Sequence, residues 1–184
     1  DVETIDRVRG VAKNFGIPVN IIDPDDSASL GLNPFAFDDP TQTAIAISTV
    51  LKGLYTDKNP ETEAAYRENL TSQILENLTI LLKLIYPKMN EGKLPNIEDL
   101  FKLVEKMCKI LESEPELAEK YNMQLTYFKK NFYSDSPNRA EMEKVVAIPI
   151  AQLDTLLRYP GVKSILCNRV NNINYDKALK NGEV

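Results

Sequence analysis

The groups in this sequence that could do chemistry are two cysteines, several close-set carboxylates and a basic stretch interleaved with aromatics; no histidine accompanies them. Without histidine there is no Ser-His-Asp or Cys-His nucleophile, no imidazole acid-base catalysis and no His-containing zinc site. Cys108 and Cys167 belong to no Cys-x-x-Cys pair, and two thiolates neither complete a structural zinc site nor make a disulfide framework. They read as buried, reduced thiols of a cytosolic protein. None of the seven glycines is placed to build a phosphate-binding Gly-x-x-x-x-Gly-Lys-Ser/Thr loop or a Gly-x-Gly-x-x-Gly turn. Asp23, Asp25 and Ser27 imitate the start of a calcium loop. Ala28 and Pro34 stand where that loop needs its sharp-turn glycine and its bidentate glutamate, so an Asx-type turn is expected instead. The carboxylates at Asp25-Asp26, Asp38-Asp39 and Glu112/Glu114/Glu116 fall in predicted loops and helix ends, where solvation and helix dipoles account for them. Asn69-Leu70-Thr71 and Asn77-Leu78-Thr79 match the glycosylation sequon but lie within one predicted helix.

Charge is distributed unevenly. The chain totals −5, yet residues 1–63 hold 5 basic against 11 acidic groups, and residues 129–169 hold 7 against 4. The second stretch interleaves Lys129, Lys130, Arg139, Lys144, Arg158, Lys163 and Arg169 with Phe128, Phe132, Tyr133 and Tyr159. Basic groups among aromatics suit a nucleic-acid or acidic-protein surface, and they equally suit a solvated helix face backed by a core. Lys129, Lys130, Arg139, Arg158 and Lys163 are the candidate contact residues.

The elements that must position these groups are almost all helices. Val2, Ile5, Val8, Val11, Ala12 and Phe15 recur at helical spacing, and Gly16 caps the helix they define. Ile17 to Ile22 is β-branched and reads as a short buried strand, followed by a turn-rich loop to Pro34. From Thr41 to about Tyr55 a nearly all-round apolar helix is expected, and therefore a buried one. Pro60, with Glu61 and Glu63, opens a long helix to Tyr86 whose core face is Ile74, Leu75, Leu78, Leu81, Leu82 and Ile85; Pro87 closes it. Asn96 caps the next helix, which carries Leu100, Phe101, Val104, Met107, Cys108 and Leu111. Another helix holds Leu117, Tyr121, Leu125, Phe128 and Phe132. The last long one runs from Pro137 to about Tyr159, kinked at Pro149, with Pro160-Gly161 ending it. A short apolar stretch from Val162 to Cys167, an Asn-rich loop and a helical turn at Asp176 to Leu179 complete the chain. No apolar run approaches a membrane span, and none of the residues reads as a signal peptide. Both ends read as cut within a longer protein. The expected class is mainly α: a bundle of five to six helices preceded by a short helix-strand-loop element.

Gly16-Ile17-Pro18-Val19 through Ile22-Asp23-Pro24, with Ser29-Leu30-Gly31-Leu32-Asn33-Pro34-Phe35, resembles the strand, Asp-Pro, Ser, Asn-Pro-aromatic passage of type IV secretion coupling ATPases. The resemblance continues through residues 94–100, 152–162, 173–179 and 181–184, and is nearest to the versions in conjugative elements of Gram-positive bacteria. These ATPases are hexameric RecA-like motors of conjugative DNA transfer. Their all-helical domain is inserted between the P-loop strand and the later acidic ATPase motif. The resemblance implies that residues 1–40 are a margin of the motor, 41–160 the inserted domain and 161–184 the return segment. It implies a domain that engages DNA or the relaxase-DNA complex for transfer, alongside the rest of the hexamer and without membrane contact of its own. The setting is cytoplasmic, with the parent anchored at the inner face of the cell membrane. ATP and Mg are implied for the parent alone; neither nucleotide motif lies in this sequence, no cofactor is expected here, and no catalytic residue carries over. Two alternatives stay open: a docking domain for protein only, and the equivalent region of the related pilus-assembly ATPase.

Overall fold

A computed structural model describes residues 2–53, 62–100, 104–170, 172–173, 178 and 180–182. The described residues form eight α-helices and no strand: α1 (Val2–Asn14), α2 (Pro40–Gly53), α3 (Thr62–Met89), α4 (Val104–Glu112), α5 (Pro115–Lys120), α6 (Asn122–Phe132), α7 (Arg139–Leu156) and α8 (Pro160–Leu166). Two 3-10 turns, Pro34–Ala36 and Ile97–Asp99, precede α2 and α4. The chain is mainly α, as its periodicity requires. Expectations placed on Leu54, Tyr55, Pro60, Glu61, Phe101 and most of residues 174–184 lie outside the described residues.

α3 is the axis of the bundle. Ile74, Leu75, Leu78, Thr79, Ile80, Leu81, Leu82 and Ile85 are all buried, so this helix is covered nearly all round by α2, α4 and α7. α2 runs antiparallel to it: the Ser48 hydroxyl donates to Glu76 Oε1 at 3.2 Å, while Lys83 Nζ reaches the Phe35 carbonyl, before α2, at 2.7 Å. Burial lowers the Lys83 pKa, and nearby Asp38 and Asp39 oppose that shift. The apolar pattern of α2 predicts burial all round, but Ile45 and Val50 face solvent and only Thr43, Ala44, Ile47, Ser48 and Leu51 turn inward. The reason is position: α2 packs principally on one neighbour, α3, and so has an outer side.

The caps read from the sequence form. Gly16 adopts φ +65°, the left-handed conformation in which a Cβ is strained, and Ile17 N–H bonds the Ala12 carbonyl at 2.9 Å. Asn96 accepts from Glu98 N–H while Asp99 Oδ2 accepts from Asn96 N–H, a reciprocal capping box. It caps the turn at Ile97–Asp99.

Four segments differ from expectation, the first being the single helix expected to hold Leu117 to Phe132, which is broken at Tyr121 (φ −111°, ψ 29°) into α5 and α6. Residues 17–22 form no strand, because no second strand exists among the described residues to complete a ladder; Ile21 instead accepts one bond, from Leu30 N–H at 3.3 Å. α3 passes through Pro87 to Met89, since near a C-terminus the missing N–H removes only a terminal bond. The chain from Val162 to Cys167 is mostly α8, with Pro160 in its first turn; α7 has already ended at Leu156, so Pro160-Gly161 begins a helix rather than ending one.

Gly161 is fixed by close approach. A Cβ there would lie 1.6 Å from the Pro24 carbonyl oxygen, a backbone atom that cannot rotate away. α1 is sparsely packed: Ala12 is buried, whereas Val11 and, just past the helix end, Phe15 are 57% and 75% exposed, so its apolar stripe faces outward. Gly161→Ala is expected to lower stability by about 1–3 kcal/mol. Gly10→Ala, where a Cβ meets nothing within 4 Å, should leave the urea midpoint unchanged or raised. Cys108 is fully buried and its thiol is pushed up to about 12 by that burial, while Cys167 is half-buried. Native protein should therefore label with a thiol reagent at Cys167 well before Cys108, and denaturant should equalise the two; equal native rates would contradict this packing.

Candidate functional site

The five candidate basic residues do not converge. Lys129 and Lys130 lie in the last turn of α6, and Arg139 begins α7. Arg158 follows the far end of α7 and Lys163 sits on α8. An 18-residue helix separates the two groups by roughly 27 Å.

Each group also meets acids. Lys129 pairs with Glu112 at 2.8 Å, Arg139 with Glu143 at 2.9 Å and Lys163 with Glu98 at 2.7 Å. Glu112 further accepts from the Tyr133 hydroxyl at 3.1 Å, and the Lys129 ammonium holds its carboxyl below the usual range. Lys130 and Arg158 are exposed, with no ion pair among the described residues. Glu98, Asp99 and Glu112 all come from outside residues 129–169; paired with Lys163, Arg169 and Lys129, they cancel the +3 of that stretch. Exposed pairs of this kind are weak, so they do not bar a phosphate from Lys129 or Lys163. They do remove the continuous positive field that the linear charge count suggested.

What does converge is a polar cluster. Asn33 Nδ2 donates to the carbonyls of Pro95 at 3.0 Å and Arg169 at 3.2 Å, while its Oδ1 accepts from Phe35 N–H. Asn96 Nδ2 donates to the Cys167 carbonyl at 2.8 Å. Arg169 Nη1 donates to Asp99 Oδ2 at 2.8 Å and to the Leu94 carbonyl at 2.9 Å, and its guanidinium lies 5.1 Å from the Tyr86 ring centroid. Asn33, Asn96 and Asp99 are buried. Beside this cluster Gly31 and Asn172 exchange two bonds, Gly31 N–H to Asn172 Oδ1 at 3.0 Å and Asn172 N–H to the Gly31 carbonyl at 3.1 Å. Leu32 N–H bonds the Ile165 carbonyl at 3.0 Å. The chain thus enters the bundle and leaves it side by side.

The second convergence is an open groove along α7. One part, about 430 Å³, is lined by Leu78, Val104, Phe132, Glu143, Val146, Ala147, Ile150, Ala151 and Asp154. The adjoining part, about 590 Å³, shares Ile150 and Asp154 and adds Glu98, Leu153, Leu157, Arg158 and Lys163. α7 buries Met142, Val145, Pro149 and Leu153 in the core, while Val146, Ala147, Ile150 and Ala151 form a second apolar stripe at the groove. Sequence reasoning missed this stripe. The signal was there: apolar residues on α7 cover more of its circumference than one core face needs.

Other candidates resolve into structure. Asp23 Oδ1 accepts from Asp25 N–H and Asp26 Oδ1 from Ala28 N–H, so this acidic loop uses its carboxylates in Asx turns. Among the described residues no group of three or more acidic or thiol side chains is placed to hold a metal. No helix among the described residues is long and apolar enough to cross a membrane. Thr71 and Thr79 of the two sequons are buried within α3.

No protein-family model, no curated protein and no solved structure matches this chain.

Removing Asp99 strands two donors in a buried cluster, whereas removing Glu143 breaks only an exposed pair. Asp99→Ala is expected to cost about 2–4 kcal/mol in urea unfolding. Glu143→Ala should cost less than about 1 kcal/mol. Equal effects would mean that the cluster does not hold the fold together.

Proposed function

We propose that this chain is the all-helical substrate-receptor domain of a conjugative type IV secretion coupling ATPase, on the cytoplasmic side of the transfer channel. The observation that carries the reading is the adjacency of entry and exit. A domain inserted into a host must begin and end at neighbouring points, and Gly31-Leu32 and Ile165–Asn172 are joined by three hydrogen bonds. The passages at 29–35 and 94–100, two of those that carry the sequence resemblance, meet in the polar cluster where residues 167–169 close it. That is what an insert anchored at the margin of a motor requires.

No step of ATP hydrolysis is assigned to these residues, because the sequence holds no phosphate-binding loop. Work on the substrate would be done by the parent motor and recognition by this domain.

Within that role the geometry favours the relaxase side of a relaxase-DNA complex over bare DNA. The basic residues are split between two ends and largely matched by carboxylates, while the groove offers an apolar floor. DNA contact through Lys130 and Arg158, the two exposed candidate bases without ion pairs among the described residues, would be weak and salt-sensitive. The test measures binding of the cognate relaxase and of single-stranded DNA separately. Relaxase is expected to bind, and DNA to bind only at low salt. Reversing charge at Lys129, Lys130, Arg139, Arg158 and Lys163 should abolish the DNA binding. Binding of neither would overturn the receptor reading; tight, salt-resistant DNA binding would overturn the preference for protein.

A further inference from the structure

The groove along α7 is apolar-floored and edged by two exposed charges of opposite sign. Glu143 is paired with Arg139 and Lys163 with Glu98, but Asp154 and Arg158 are exposed and have no ion pair among the described residues. These two stand four positions apart on the same side of the groove, one negative and one positive. A nucleic-acid strand, uniformly negative, would meet Asp154 with the wrong sign. A protein segment with both signs would satisfy both residues. From Glu143 to Leu156 the groove follows roughly 20 Å of α7, between three and four helical turns, and Arg158 lies just past the helix end. Ala147 and Ala151 keep one wall low, so a second helix could approach α7 closely, with Val146, Ile150 and Phe132 receiving its side chains.

We propose that this groove docks an amphipathic α-helix of a protein partner: an apolar stripe at i, i+3 or i+4 and i+7 seated on Val146, Ile150 and Phe132, a basic residue against Asp154, and an acidic residue one turn away against Arg158. This rests on the receptor reading only for the identity of the partner; the groove and its charges stand without it. It is the helix-in-groove mode of recognition, in which the apolar stripe supplies affinity and the charge pair sets direction.

A displayed library of random peptides about 16 residues long, enough for four turns, is selected on the 184-residue chain. Enriched sequences should share the apolar stripe and an opposite-charge pair four residues apart. Ala151→Glu, at an exposed position, should weaken a selected peptide at least about tenfold with the helical circular-dichroism spectrum and melting temperature unchanged. Ala147→Glu provides the same test one turn earlier. Asp154→Arg should weaken the original peptide and prefer one whose basic residue has been replaced by glutamate. The proposal is overturned if no peptide enriches, or if selected peptides bind both glutamate variants as well as the native chain. It is also overturned if the chain dimerises in ultracentrifugation and Ala151→Glu makes it monomeric, since the occupant would then be a second copy. Peptide binding without relaxase binding keeps the groove and removes the receptor reading. Relaxase binding that Ala151→Glu leaves intact does the reverse.

Discussion

The arrangement depends on one buried polar cluster. Asn33, Asn96, Asp99 and Arg169 come from three segments separated by 62 to 136 residues, yet their side chains satisfy each other and the carbonyls of Leu94, Pro95, Cys167 and Arg169. Hydrophobic burial holds α2, α3, α4, α6 and α7 together but is tolerant of small shifts. A buried carboxylate is not tolerant: Asp99 needs both Asn96 N–H and Arg169 in place, because either donor left alone carries the desolvation cost of an unpaired group. The cluster therefore sets where the entering and leaving segments sit relative to the core. The Lys83 bond to the Phe35 carbonyl fixes the same entry segment from the α3 side.

With the ends placed, the rest of the surface follows. α8 is drawn against the Pro24 carbonyl, a contact only glycine at 161 permits, and it brings Lys163 to Glu98 at the mouth of the α7 groove. α7 itself has two apolar stripes and only one core to bury them in. The fold thus cancels charge where the sequence concentrated it, and leaves apolar surface open where the sequence looked merely helical.

The helices and their caps were legible because they are local. Gly16, Asn96 and Pro160 act on groups within a few residues, and the 3.6-residue period of Ile74, Leu78, Leu81 and Ile85 needs no knowledge of the partner. Three features were not legible. The polar cluster joins residues whose spacing has no period, so Asn33 read only as part of a turn-rich loop and of the Asn-Pro passage, and Arg169 only as one member of the basic stretch. The basic stretch was counted along the chain, while its counter-charges Glu98, Asp99 and Glu112 arrive only through folding. The residues of α1 repeat like a core face, yet periodicity cannot say whether a neighbour is present, and among the described side chains of this helix Ala12 alone is buried.

The adjacency of Gly31 with Asn172 and of Leu32 with Ile165 also determines how the molecule carries load. Tension applied between its two margins passes through those bonds first and closes there, so the helices beyond are bypassed by the force. The bundle hangs from this junction as a pendant rather than standing in line as a link. Under the proposed reading, a domain mounted in that way keeps its groove in one shape while its host is pulled and released.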